Sequence, residues 1–123
     1  MRDRIDLVVS VAAVPASDLA GADHGEPSSP VRARVVAARD RQQQRQAAVL
    51  NARLAVPALR PSTGSVLPDA HALAVQSSER LALSARAFYR LLRVARTVAD
   101  LADRDEVSVE DVAEALQFRG DTP

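Results

Sequence analysis

The 123-residue chain contains no cysteine, so it can form neither a disulfide framework nor a thiolate metal site. It contains no lysine either, and all 16 basic residues are arginine. A nucleotide-binding loop of the G-x-x-x-x-G-K-[ST] type is therefore excluded within these residues. Tryptophan is missing and the aromatics are only Phe88, Tyr89 and Phe118. A core built mostly from Ala, Val and Leu buries little area per residue, and such a composition favours thinly packed helices. No apolar run approaches the roughly 20 residues of a membrane span. The first residues, Met1 to Asp6, lack the apolar segment of a signal peptide. A soluble, cytoplasmic protein with no membrane partner is the expectation.

What is present is unevenly distributed. The net charge is zero, yet Val31 to Arg60 holds seven Arg and one Asp, a local sum of +6. Thr97 to Pro123 holds eight acids and two Arg, a local sum of −6. Asymmetry of this kind speaks to faces and partners rather than to fold. At this length one small domain is expected.

Ile5 to Val11 alternates apolar residues at 5, 7, 9 and 11 and is β-branched, which predicts a strand. No second strand follows, so its partners are expected elsewhere. Val14 to Ser29, rich in Ala, Asp, Gly, Ser and Pro, reads as a linker. Ser29 and Pro30 then look like an N-cap and a first helical residue. The helix they open runs to about Leu50, with Val31, Val35, Ala38 and Gln42 on one stripe and Arg32, Arg39, Arg41 and Arg45 opposite. A short turn is expected near Pro57. Pro68 opens a helix to about Leu81. The strongest helix is Ala85 to Ala102, capped by Ser84, with Phe88, Leu91, Leu92, Ala95, Val98, Ala99 and Ala102 as its buried stripe and Arg86, Arg90, Arg93 and Arg96 on other faces. The last helix begins at Ser108, with Asp111 completing a capping box, and runs to about Phe118 before Gly120. The fold class is mainly α: one orphan strand (1–13), a linker (14–29) and a helical bundle (30–123).

Little chemistry is encoded locally. His24 reads as a solvated loop residue and His71 as a structural helix residue, with no nucleophile or acid placed to make a catalytic set. No metal site is expected. Two arginines stand apart. Arg4 sits ahead of the strand, able to project toward a neighbouring molecule. Arg86 lies in the first turn of the strongest helix, where the helix dipole is positive and a cation is disfavoured by about 0.3–1 kcal/mol. An anion near Arg86 in an assembled state would account for that placement.

Several stretches carry a family resemblance. Asp3 to Val9, DRIDLVV, resembles the LLDRIDL stretch of magnesium-chelatase-like AAA+ ATPases of the ComM/YifB type. Val35 to Arg45, VVAARDRQQQR, is similar to their ARxRQxxR helix, and Asn51 to Leu54, NARL, to the NAxL that follows. Leu83 to Leu101, LSARAFYRLLRVARTVADL, closely resembles LSARAYHRILRVARTIADL. Ala113 to Arg119, AEALQFR, is similar to the terminal AEALQYR. Gln76 to Leu81 and Ala55 to Ser65 depart from the family pattern.

The resemblance implies the C-terminal, or lid, region of a hexameric motor. It implies that Arg4 is an arginine finger acting in trans on ATP held by the adjacent subunit. It implies that Arg86 is a second-sensor arginine addressing the nucleotide phosphates. ATP and Mg²⁺ would then belong only to the full-length assembly, and the chain would not be an enzyme on its own. The family's phosphate-binding loop, Mg²⁺-binding acidic motif and first-sensor segment do not occur in these residues. The implied partners are the AAA+ core and neighbouring subunits, with DNA as a substrate. For Arg39, Arg41 and Arg45, DNA contact is weighed against pairing at the bundle surface or between subunits, and pairing is favoured. The competing expectation is a free-standing helical interaction or nucleic-acid-binding module with a histone-fold-like end.

Overall fold

In the computed structural model, which describes residues 4–21, 25–45, 49–62 and 65–119, the fold is mainly helical. A single turn, α1 (Ala16–Leu19), precedes α2 (Ser28–Arg45), α3 (Pro68–Arg80), α4 (Ala85–Leu101) and α5 (Val109–Gln117). Two 3-10 turns, Asn51–Arg53 and Val56–Leu59, connect α2 to α3.

Helix α4 forms where its cap and stripe specify. The Ser84 hydroxyl accepts from the Ala87 N–H at 3.1 Å, occupying one of the donors that every helix N-terminus leaves open. Leu91, Leu92, Ala95 and Ala99 are fully or almost fully buried against α3 and α5. Each buried leucine contributes about 1.5–3 kcal/mol by removal from water. The core also takes Leu54 from just after the first 3-10 turn, Leu59 from the second, Ala70 and Ala74 from α3, and Val112 and Ala115 from α5. Helix α5 carries the expected capping box, with Asp111 accepting from the Ser108 N–H at 2.9 Å.

The segments leading into α3 and α5 are laced together. Leu67 N–H donates to the Val107 carbonyl at 3.0 Å and Val107 N–H to the Ser65 carbonyl at 2.7 Å. This one parallel bridge, Val66 with Val107, starts the two helices side by side.

Three expectations are corrected. Ile5 to Val11 forms no strand among the described residues. Among the described residues its one backbone bond to a distant segment is Val8 N–H to the Phe118 carbonyl at 2.7 Å, and one bond does not make a ladder. The linker contains a helical turn, α1, and α2 starts at Ser28 rather than at Pro30. The supposed buried stripe of α2 is buried only in its second half. Ala38 and Gln42 are covered, whereas Val31 and Val35 are exposed, because the first half of the helix projects past the elements that could cover it. Gly120 lies outside the described residues.

Candidate functional site

Arg86 stands in the first turn of α4. Its side chain is exposed and has no ion pair among the described residues. Arg4 is likewise exposed at the start of the N-terminal segment. The segment is tied to α4 by an ion pair between Asp6 and Arg90, one helical turn after Arg86. Leu7, Val94 and Val98 line one groove beside this pair. Positions 86 and 90 share a face of the helix, so the ion pair places Asp6 on the side of α4 that carries Arg86.

The remaining arginines are mostly committed inside the fold. Arg45 donates from Nη1 to Asp100 Oδ2 at 3.3 Å and to Asn51 Oδ1 at 3.2 Å, and its Nη2 also pairs with Asp100. Arg41 reaches Asp103 at 2.7 Å and Asp105 at 2.8 Å. These hydrogen bonds and the Arg41 charge hold the Asp105 carboxyl below its ordinary range. Arg39 is exposed, with no ion pair among the described residues. Of the three arginines weighed for DNA, two are engaged by the domain's own carboxylates.

Sequence periodicity missed the most deeply placed charges. Periodicity places Arg96 on a face other than the buried stripe, yet it is wholly buried. Its Nη1 donates to Ser65 Oγ at 2.6 Å and to the Asp105 carbonyl at 2.8 Å, and its Nη2 donates to the Arg104 carbonyl at 2.8 Å. Burial lowers its pKa, against the opposing pull of Asp100 at 3.1 Å. Asn51 completes the cluster, donating to Asp100 Oδ2 at 2.7 Å and to Thr97 Oγ1 at 3.1 Å, while Gln42 accepts from the Asn51 backbone at 2.9 Å. Arg93 donates twice to the Leu54 carbonyl. The polar residues of the family-like stretches 35–45, 51–54 and 83–101 thus meet one another, and they join α2 to α4. A signal was available: Arg93, Arg96, Thr97 and Asp100 recur at helical spacing beside the apolar stripe.

His71 packs edge-to-face on Phe88, with centroids 5.9 Å apart, as a structural residue would. His24 lies outside the described residues. Among the described residues no group of three His, Asp or Glu is placed to hold a metal ion, and no helix is long and apolar enough to cross a membrane.

Comparison with known proteins follows the same lines. A family model described as magnesium chelatase, subunit ChlI C-terminal, matches residues 25–119. The uncharacterized protein YifB of Salmonella typhimurium is 39% identical over 118 residues, covering 95% of this chain and 23% of that protein. An uncharacterized protein of Mycobacterium tuberculosis is 40% identical over 124 residues, with 95% and 24% covered. The competence protein ComM of Haemophilus influenzae is 36% identical over 119 residues, with 95% and 23% covered. The chain spans about a quarter of the length of these curated relatives.

Proposed function

Since this chain belongs to the magnesium chelatase ChlI C-terminal family, as the C-terminal domain of a protein of the YifB and ComM type, we propose that it serves as the helical lid of an oligomeric AAA+ ATPase and presents two arginines to the ATP sites of the assembly. The observation that carries this reading is Arg86: an exposed guanidinium in the first turn of the Ser84-capped helix α4, with no carboxylate paired to it among the described residues. A cation there works against the helix dipole. A phosphate group brought against it reverses the sign of that interaction, because both the turn's N–H groups and the guanidinium then face an anion.

When bound, ATP with Mg²⁺ supplies the phosphoryl group and the free energy of its hydrolysis. The part of this chain is electrostatic. A guanidinium held where charge develops on the phosphate oxygens stabilises them, and a trans-acting arginine finger is worth about 10³–10⁵ in rate. Arg4 takes that role in this reading, and Arg86 fixes the lid against the phosphates. DNA as the motor's substrate and a cytoplasmic site of action go with this reading. Arg39 is then the residue available for DNA, since Arg41 and Arg45 hold the domain together.

The test is reconstitution. Mixed with a YifB- or ComM-type relative that lacks its own C-terminal region, the chain should raise ATP hydrolysis, and Arg4→Ala should abolish the gain while still binding the relative. If the chain binds and Arg4→Ala stimulates as well as the unaltered chain, Arg4 is no finger.

A further inference from the structure

The segment that bears Arg4 touches the helical bundle over a short stretch. Of residues 4–11 only Val8 is partly covered. Its N–H donates to the Phe118 carbonyl at 2.7 Å. Two residues earlier, Asp6 accepts from Nη1 of Arg90 on α4. Among the described residues these two bonds are the polar ties between this segment and the rest of the fold. One uses backbone alone and is indifferent to side-chain identity. The other depends on two particular side chains, one in each of two stretches that carry the family resemblance, 3–9 and 83–101.

The two partners are unequally placed. The Arg90 side chain is 19% exposed and that of Asp6 48%. The Arg90 Nε is buried and has no hydrogen-bond partner among the described residues. Arg90 is thus a largely covered cation on a rigid helix, and Asp6 is the anion that a loosely held segment brings to it. The other charges lining the groove beside the pair do not take the place of either partner. Arg93 already donates twice to the Leu54 carbonyl, and Glu114 has the same sign as Asp6. Arg86 is the next cation along this face of α4, and it is exposed.

We propose that Asp6 and Arg90 are positioning residues for Arg4: their ion pair clasps the segment that bears Arg4 to the helix that bears Arg86. The inference rests on the reading of Arg4 as a finger. Two residues of chain span at most about 7 Å, so fixing Asp6 on α4 confines the Arg4 backbone to that radius of the clasp. A finger acts only from a set place, because its guanidinium has to meet charge that develops in the transition state. The clasp also makes a displacement of α4 carry both Arg86 and the root of the Arg4 segment. A half-exposed pair adds little to overall stability, so its removal frees the segment without unfolding the bundle.

Amide hydrogen exchange of the purified 123-residue chain reads the clasp. The Val8 N–H should exchange about fivefold faster in Asp6→Ala and in Arg90→Leu, as loss of one partly exposed charged pair implies. The double variant should be no faster than either single one, since both remove the same interaction. The charges are removed and not exchanged, because an aspartate at position 90 would meet Arg86 across one turn. Exchange at Leu92 in the core of α4 should stay as it is, which separates a freed segment from a lost fold. In the assembly reconstituted with a relative lacking its C-terminal region, Asp6→Ala should lower turnover at saturating ATP several-fold. The half-saturating ATP concentration should be unchanged, because a misplaced finger weakens only the transition state. Val8 exchange unmoved by Asp6→Ala, or effects of the two substitutions that add, overturn the proposal whatever the assembly does. Full turnover in Asp6→Ala where Arg4→Ala abolishes the gain overturns the proposal and leaves the nucleotide reading standing. If Arg4→Ala keeps full turnover, the nucleotide reading itself fails, and the role given to the clasp falls with it.

Discussion

At Asp100 donors from three sides converge on one carboxylate: Arg45 from α2, Asn51 from the following 3-10 turn, and Arg96 from its own helix. The side chain has no exposed surface. A buried ion pair is weak evidence of net stabilisation, because desolvation offsets the attraction. Removing one partner is another matter, since the others are left charged and unpaired. Asp100→Ala should lower unfolding stability by about 3–5 kcal/mol, measured by urea denaturation. A loss below about 1 kcal/mol would mean that water reaches Arg45 and Arg96 and that the cluster does not join the elements. This residue-level picture was only half legible in the sequence. The arginines were visible as a periodic set, but hydrophobic periodicity assigns every cation to solvent, and Arg96 is where that rule fails. Its burial depends on two backbone carbonyls, of Arg104 and Asp105, that only the folded loop brings to it.

Among the elements, caps proved the most readable feature. Ser84, and Ser108 with Asp111, mark helix starts through local hydrogen bonds, and Pro68 marks one through its fixed φ. Helix α2 was less readable, because Val31 and Val35 follow the same spacing as buried residues and nothing local says that the helix outruns its neighbours. The loop between α4 and α5 is held to α2 by Arg41, through Asp103 and Asp105. Asp105 has its pKa depressed in the folded chain, first by the hydrogen bond from Arg41. A carboxylate so depressed contributes stability above its unfolded pKa of about 3.9, and the contribution is lost as pH falls through the lower folded value. Thermal unfolding followed between about pH 5 and pH 2 should therefore show the melting temperature dropping in acid. Arg41→Ala should drop less steeply over that window. Equal slopes for the two proteins would show that the pair does not tie the loop to α2.

For the whole molecule, the charge asymmetry read from the sequence is partly cancelled within the fold, and what is left over is informative. Arg41 and Arg45 of the basic segment meet Asp100, Asp103 and Asp105 of the acidic one. The family, too, was legible, because the stretches that carry the resemblance are those whose polar residues interlock. The roles proposed for Arg4 and Arg86 are not derivable from packing, since both residues are exposed. Both face outward, and an outward arginine acquires meaning only from what approaches it.

The direct measurement is ATP hydrolysis by the reconstituted assembly of this chain with a relative lacking its C-terminal region, comparing Arg86→Ala with the unaltered chain. The account predicts that the turnover rate falls at least about tenfold, as loss of a charge-assisted contact worth about 1.5–3 kcal/mol implies, while the melting temperature of the isolated chain is unchanged. An unchanged rate in an assembly that this chain activates, or a rate loss matched by a lower melting temperature, would contradict it.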